Sequence, residues 1–183
     1  GDVYKRQVYG IISIVLGSLG LLGAVCGVLF APLLPFLLAW VEDLLGDDTP
    51  TWFDEVATEM SGFLPMLVVL NIIMGTLAVL LIVSGQRLTK RRSSGVRLSW
   101  IYSISYIIMA VPQAIITTMM QNAYLDAMMA DQQMQANMPP GFMTMQTMIG
   151  TVMGSIFAIL YPVVLMVWLS RKRVREEVKS WQP

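Results

Sequence analysis

Histidine does not occur in the 183 residues, cysteine occurs once, and charged side chains make up only 13%. Each scarcity closes off a class of chemistry. Without imidazole, the commonest general base, proton shuttle and metal ligand is missing. The single thiol, Cys26, supports neither a disulfide framework nor a paired thiolate site, and inside an apolar run it reads as a small core residue. There is no glycine-rich phosphate loop, no serine beside a base and no nucleic-acid motif, so no cofactor and no nucleic acid are expected. What remains is hydrocarbon. A soluble domain is roughly 45–50% apolar and about 25% charged. Here the apolar share is 56%, and it falls in long blocks rather than in the periodic alternation that a water-facing fold requires. Blocks of about 18 or more uncharged residues read as membrane spans.

The first block runs from Val8 to Trp40, about 50 Å of helix against a hydrocarbon core of roughly 30 Å. Pro32 and Pro35 remove backbone donors, which predicts a span over 8–31 and an interfacial segment over 32–45, with Trp40 at the headgroups. Ser13, Gly17, Gly20, Ala24, Gly27 and Ala31 recur at spacings of three and four, a face of small side chains that lets another helix approach closely. Thr51 followed by Asp54 resembles a capping box and predicts a short helix over 52–60, laid on the membrane by Trp52 and Phe53. The second span is expected over 62–84, with Asn71 hydrogen-bonding to a neighbouring helix.

The third span is expected over 98–120, with Tyr102 and Tyr106 one turn apart and a mild kink at Pro112. Its helical pattern continues to Asn137, where Pro139-Pro140-Gly141 stops it. The fourth helix starts near Phe142 and spans 148–169, with Gly150, Gly154 and Ala158 as a second small-residue face and Pro162 as a bend. The expected fold is an all-α integral membrane protein: an antiparallel four-transmembrane-helix bundle with an extended Met-rich outside hairpin between helices three and four.

Charge orders these spans. The connections 42–61 and 121–147 carry nine carboxylates and no lysine or arginine. The loop 85–97, with Ser93-Ser94-Gly95 at its apex, carries Arg87, Lys90, Arg91, Arg92 and Arg97, and the tail 170–183 carries Arg171, Lys172, Arg173 and Arg175. Basic loops stay in the cytoplasm, so both ends of the chain are expected there, in a bacterial cytoplasmic (inner) membrane. The same cations attract anionic membrane lipids by about 1 kcal/mol each. Residues 1–7, Gly1-Asp2-Val3-Tyr4-Lys5-Arg6-Gln7, back-translate to a string that resembles the transposon-end adapter of sequencing libraries. The resemblance covers that stretch alone. It implies a draft-assembly reading frame whose own start lies elsewhere, so Lys5 and Arg6 carry no weight in the topology.

Methionine is abundant, at fifteen residues. Met134, Met138, Met143, Met145 and Met148 could converge across the Pro139-Pro140 turn as thioether ligands for Cu(I). Methionine is also an adaptable apolar filler, and no histidine or cysteine sharpens this cluster. The acidic connection 42–61 lacks the spacing of a calcium loop. No charged side chain falls within the four spans, which removes the groups that intramembrane enzymes and ion-coupled carriers use. The function expected is therefore that of a non-enzymatic accessory or interaction component, docking a membrane-protein partner or a second copy of itself. Cu(I) binding or sensing by the hairpin is the alternative, and a small-molecule transporter subunit the third. In a bacterial membrane, alkaline phosphatase fused after Asp48 should be active and fused after Lys90 inactive; activity at Lys90 would overturn the topology.

Overall fold

A backbone in lipid has no water to bond, so it must satisfy its own amides, and the helix does so within one segment. The chain accordingly folds as helices, α1 (Asp2–Leu45), α2 (Thr51–Thr89), α3 (Ser93–Met129), α4 (Phe142–Ser170) and the short α5 (Lys172–Val178), with no strand among the described residues. The computed structural model describes residues 2–46, 51–129, 142–179 and 181. Three helical stretches are long and apolar enough to cross a membrane, Gln7–Leu44, Ser61–Thr89 and Ser93–Asp126, and in their most apolar windows only 11%, 28% and 11% of the residues are buried. Side chains such as Leu22 (63% exposed) and Phe36 (74%) would be unstable facing water in such numbers. They belong against lipid.

Two helices are longer than expected. α1 has 44 residues, about 66 Å, and passes unbroken through Pro32 and Pro35. Both prolines are exposed, Pro35 at the rim of a pocket it shares with Leu34, Leu38 and α2, and the row of Ala24, Gly27, Ala31, Leu34 and Leu38 runs past them without a break. α2 likewise runs through Gly62 and Pro65, so 52–60 is no separate surface helix. From Thr58 onward it lies alongside α1, with Thr58, Ser61 and Leu64 facing Leu38, Ala39 and Glu42 across a shallow pocket. Packing along the whole pair outweighs the single backbone bond that each proline removes. α3 starts at Ser93, and the expected continuation past Met129 to Asn137 lies outside the described residues.

α1 and α2 pack antiparallel along the small-residue row. A Cβ placed on Gly85 would lie 2.7 Å from the Gly10 carbonyl and 2.9 Å from Ser13 Cβ; on Gly17 it would lie 2.9 Å from the Ala78 carbonyl; on Gly75 it would meet Ala24 Cβ at 3.3 Å. Gly20 is looser, with only Ala78 Cβ at 3.5 Å. Over Gly27 lies the Asn71 side chain, whose Nδ2 would be 2.8 Å from an added Cβ. Asn71 does not bond across the helices as expected: its Nδ2 donates to the Leu67 carbonyl of its own helix at 2.8 Å, the nearest acceptor one turn back. Cys26, on the side of α1 opposite Ala24, is exposed rather than part of the core.

α2 turns into α3 over Lys90, Arg91 and Arg92, three residues before the expected apex. Arg92 N–H donates to the Arg87 carbonyl at 2.9 Å and Arg91 N–H to the Leu88 carbonyl at 3.2 Å. That pair of bonds is a Schellman motif, which requires a left-handed residue at its second-last position. Arg91 supplies it, at φ 55°. The turn brings the start of α3 hard against the end of α2, where a Cβ on Gly95 would lie 2.8 Å from Leu88 N. α4 begins at Phe142 and packs on α3. Its last turns bury Leu165, Trp168 and Leu169 against Tyr9, Val96, Trp100 and Val174, so the basic turn and the basic tail share one end of the molecule.

Because backbone atoms face Gly85, Gly85→Ala should cost about 1–3 kcal/mol. Gly23, with nothing within 4 Å of its Cβ position, should accept alanine with no loss or a gain of up to about 1 kcal/mol. Reversible unfolding in mixed micelles measures both; equal effects would show that the close approach is not what holds the pair.

Candidate functional site

The helix pair leaves a gap where α3 and α4 close over it. A cavity of about 210 Å³ is lined by Leu16, Gly17 and Gly20 of α1, Met74, Ala78 and Leu81 of α2, Tyr102 and Tyr106 of α3, and Tyr161 and Pro162 of α4. The two glycines have no side chain to fill it, so their contribution is space. Tyr102 is only 5% exposed and packs with Leu77 and Leu81. Its ring lies 5.5 Å from that of Tyr106, tilted by 42°. Measured along α3 from Arg97, Tyr102 lies about 7 Å and Tyr106 about 13 Å into the apolar part of the chain, less than half of a roughly 30 Å core.

Hydrogen bonding around the cavity is uneven. Ser13 is fully buried, and its Oγ donates to the Tyr9 carbonyl at 2.9 Å. A hydroxyl carries one proton, so the 2.5 Å contact between Ser13 Oγ and Tyr161 Oη has Tyr161 as donor. This bond joins α1 to α4, and one turn further along Tyr9 stacks on Trp168 at 4.5 Å. The hydroxyls of Tyr102 and Tyr106 make no hydrogen bond among the described residues, although both line the cavity. Close by in sequence, Ser99 Oγ returns to the Gly95 carbonyl at 2.9 Å, while the buried Ser103 Oγ has no partner among the described residues.

The residues singled out from the sequence are distributed as follows. Gly17 and Gly20 line the cavity, Ser13 holds Tyr161, and Ala24 and Gly27 pack on Gly75 and Asn71 of α2. On α4, Gly150 has nothing within 4 Å of its Cβ position, and Gly154 and Ala158 lie outside the described side chains. Arg87 is in the last turn of α2, Lys90, Arg91 and Arg92 form the exposed turn, Arg97 is exposed on α3, and Arg171, Lys172 and Arg175 are exposed around the start of α5; the side chain of Arg173 is not among those described. Of the methionines, Met134 and Met138 lie outside the described residues and Met143 and Met148 outside the described side chains, while Met145 is 63% exposed on α4. No group of three or more His, Cys, Asp or Glu side chains able to hold a metal occurs among the described residues.

Tyr161 and Ser13 as partners escaped the sequence reading. The one available signal was the pairing of aromatic and hydroxyl groups, Tyr9 with Ser13 and Tyr161 with Trp168, near the chain ends that charge assigns to one side. Helical fold, lipid-facing surface and membrane-spanning lengths together define a helical membrane protein. Against protein-family models, curated proteins and solved structures, the chain finds no match.

A double-mutant cycle on Ser13→Ala and Tyr161→Phe should return a coupling of about 0.6 kcal/mol, with about 1.7 kcal/mol as the upper bound for such bonds in membranes. Zero coupling in unfolding titrations would remove this bond as the tie between α1 and α4.

Proposed function

We propose that this chain is a non-enzymatic, multi-pass component of the bacterial cytoplasmic membrane that docks another membrane protein, or a second copy of itself, through the outer half of α4. In this reading α4 is a fourth span, both ends of the chain are cytoplasmic, and the Met-rich connection before α4 stands on the outside. The observation that carries it is that no described side chain from Met145 to Leu160 of α4 is buried, whereas the inner half, although it exposes Val163, Val164 and Val167, also has a buried face. Pro162, Leu165, Trp168 and Leu169 are buried, whereas Met145, Ile149, Val152, Met153, Ile156 and Leu160 are all exposed, between 48% and 63%. Gly150 sits among them with open space where its side chain would be, followed by Gly154 and Ala158 at four-residue spacing.

Small residues at that spacing are what allow two helices to approach in lipid, where apolar surface alone gives no preference for protein over acyl chains. The comparable row on α1 is already occupied by α2, whereas on α4 the Cβ position of Gly150 meets nothing within 4 Å. The non-enzymatic reading draws on the spans themselves: they contain no charged side chain that could move a proton or an ion. Connections rich in Asp and Glu on one side and in Arg and Lys on the other support the orientation.

Benzoyl-phenylalanine placed at Ile149 or Val152 should give, in native membranes, a photo-adduct of one discrete mass, lost when Gly150 is replaced by leucine. At Leu22, which is as exposed but lies on the lipid side of α1, no such adduct should form. Equal labelling at all three positions, or none at any, would rule this docking face out.

A further inference from the structure

We infer that the cavity between the four long helices is a binding site for an uncharged, lipid-soluble molecule that presents carbonyl oxygens to Tyr102 and Tyr106, the chemistry of a quinone head. Three observations converge on it. The cavity holds about 210 Å³, more than the roughly 150 Å³ that suffices to take up a benzene ring. Tyr102 and Tyr106 line it, and their hydroxyls donate to no described residue. A hydroxyl withdrawn from water into hydrocarbon without a partner is unfavourable, so an acceptor entering the space is stabilised twice, by the bond and by the relief of that cost. Tyr161 cannot serve as that acceptor's donor, because its own proton goes to Ser13.

The remaining walls fix the class of ligand. Met74, Ala78, Leu81 and Pro162 offer only hydrocarbon and thioether surface, and no cation or carboxylate lines the space, so a charged headgroup would be desolvated without compensation. Leu16 and Gly20, at the edge of the cavity, are exposed on the lipid-facing surface of α1, so molecules reach it from the bilayer. The tilted ring pair of Tyr102 and Tyr106 gives a flat carbonyl ring an aromatic surface to lie against. An ester carbonyl of a neutral glycerolipid offers the same acceptor chemistry without the ring. Occupancy here is independent of any partner on α4.

The test uses the whole protein in dodecyl maltoside with tritiated decyl-ubiquinone, and decylbenzene and dioleoylglycerol as competitors. Saturable, stoichiometric quinone binding is expected, weakened about 2- to 12-fold by Tyr102→Phe and again by Tyr106→Phe, as loss of one neutral hydrogen bond each predicts. Gly20→Leu should abolish quinone binding by filling the space, whereas Gly20→Ala, whose Cβ meets only Ala78 Cβ at ordinary contact distance, should leave the melting temperature unchanged. Decylbenzene should not displace the quinone. Displacement by dioleoylglycerol, with the same dependence on both tyrosines, would support the carbonyl site and assign it to membrane lipid; failure to displace would assign it to the quinone class. Competition by decylbenzene, phenylalanine variants that bind like wild type, or no saturable binding of either carbonyl probe would each overturn the proposal.

Discussion

How closely the backbones of α1 and α2 approach governs everything else in this molecule. Lipid tails are as apolar as leucine, so burying hydrocarbon does not drive helices together there; contact between well-fitted surfaces does. At Gly85 the Gly10 carbonyl occupies the space that a side chain would need. That approach turns Ser13 toward α4, where it takes the proton of Tyr161, and sets Tyr9 against Trp168. It also leaves Gly17 and Gly20 as one wall of the cavity. Without it the helices would separate by a side-chain width, and both the tie to α4 and the enclosed space would be lost.

Packing is tightest at the end that carries the arginines. Leu88, Ser84, Ser99, Ser103, Leu165, Pro162 and Ser13 are the most completely buried side chains, and all lie near the α2–α3 turn or the end of α4. Two physical demands meet there. The turn is short and left-handed at Arg91, so α2 and α3 are held together from their first residues. Serines at the contact carry a small side chain whose hydroxyl can return to its own helix, as Ser84 does to the Leu81 carbonyl and Ser99 to the Gly95 carbonyl. Ser84 and Ser99 thus combine close approach with a satisfied donor in a region where water is scarce, whereas Ser103 Oγ has no partner among the described residues.

Toward the other end the molecule opens. On α4 the described side chains from Met145 to Ile156 are exposed, and α1, at about 66 Å, is too long to fit within a roughly 30 Å core even when steeply tilted. The packed end fixes the internal geometry, while the described side chains toward the other end face outward.

Hydropathy, charge placement and helix-forming composition are properties that accumulate along the chain, so membrane character and helical class could be read without coordinates. So could the row from Ser13 to Ala31, because a spacing of three and four places residues on one side of any helix. Which helix would occupy that row could not. α4 carries a row of the same kind, and the choice of α2 depends on the matching positions of Gly75 and Gly85, far away in sequence. Local rules also misjudged Pro32 and Pro35, since the lost backbone bond is a local cost whereas the packing that keeps α1 continuous comes from a neighbour. Tyr102 and Tyr106 were visible as a pair one turn apart. That Tyr161 and two glycines join them around one space was decided only when four segments came together, because a cavity belongs to the fit between surfaces and to no segment alone.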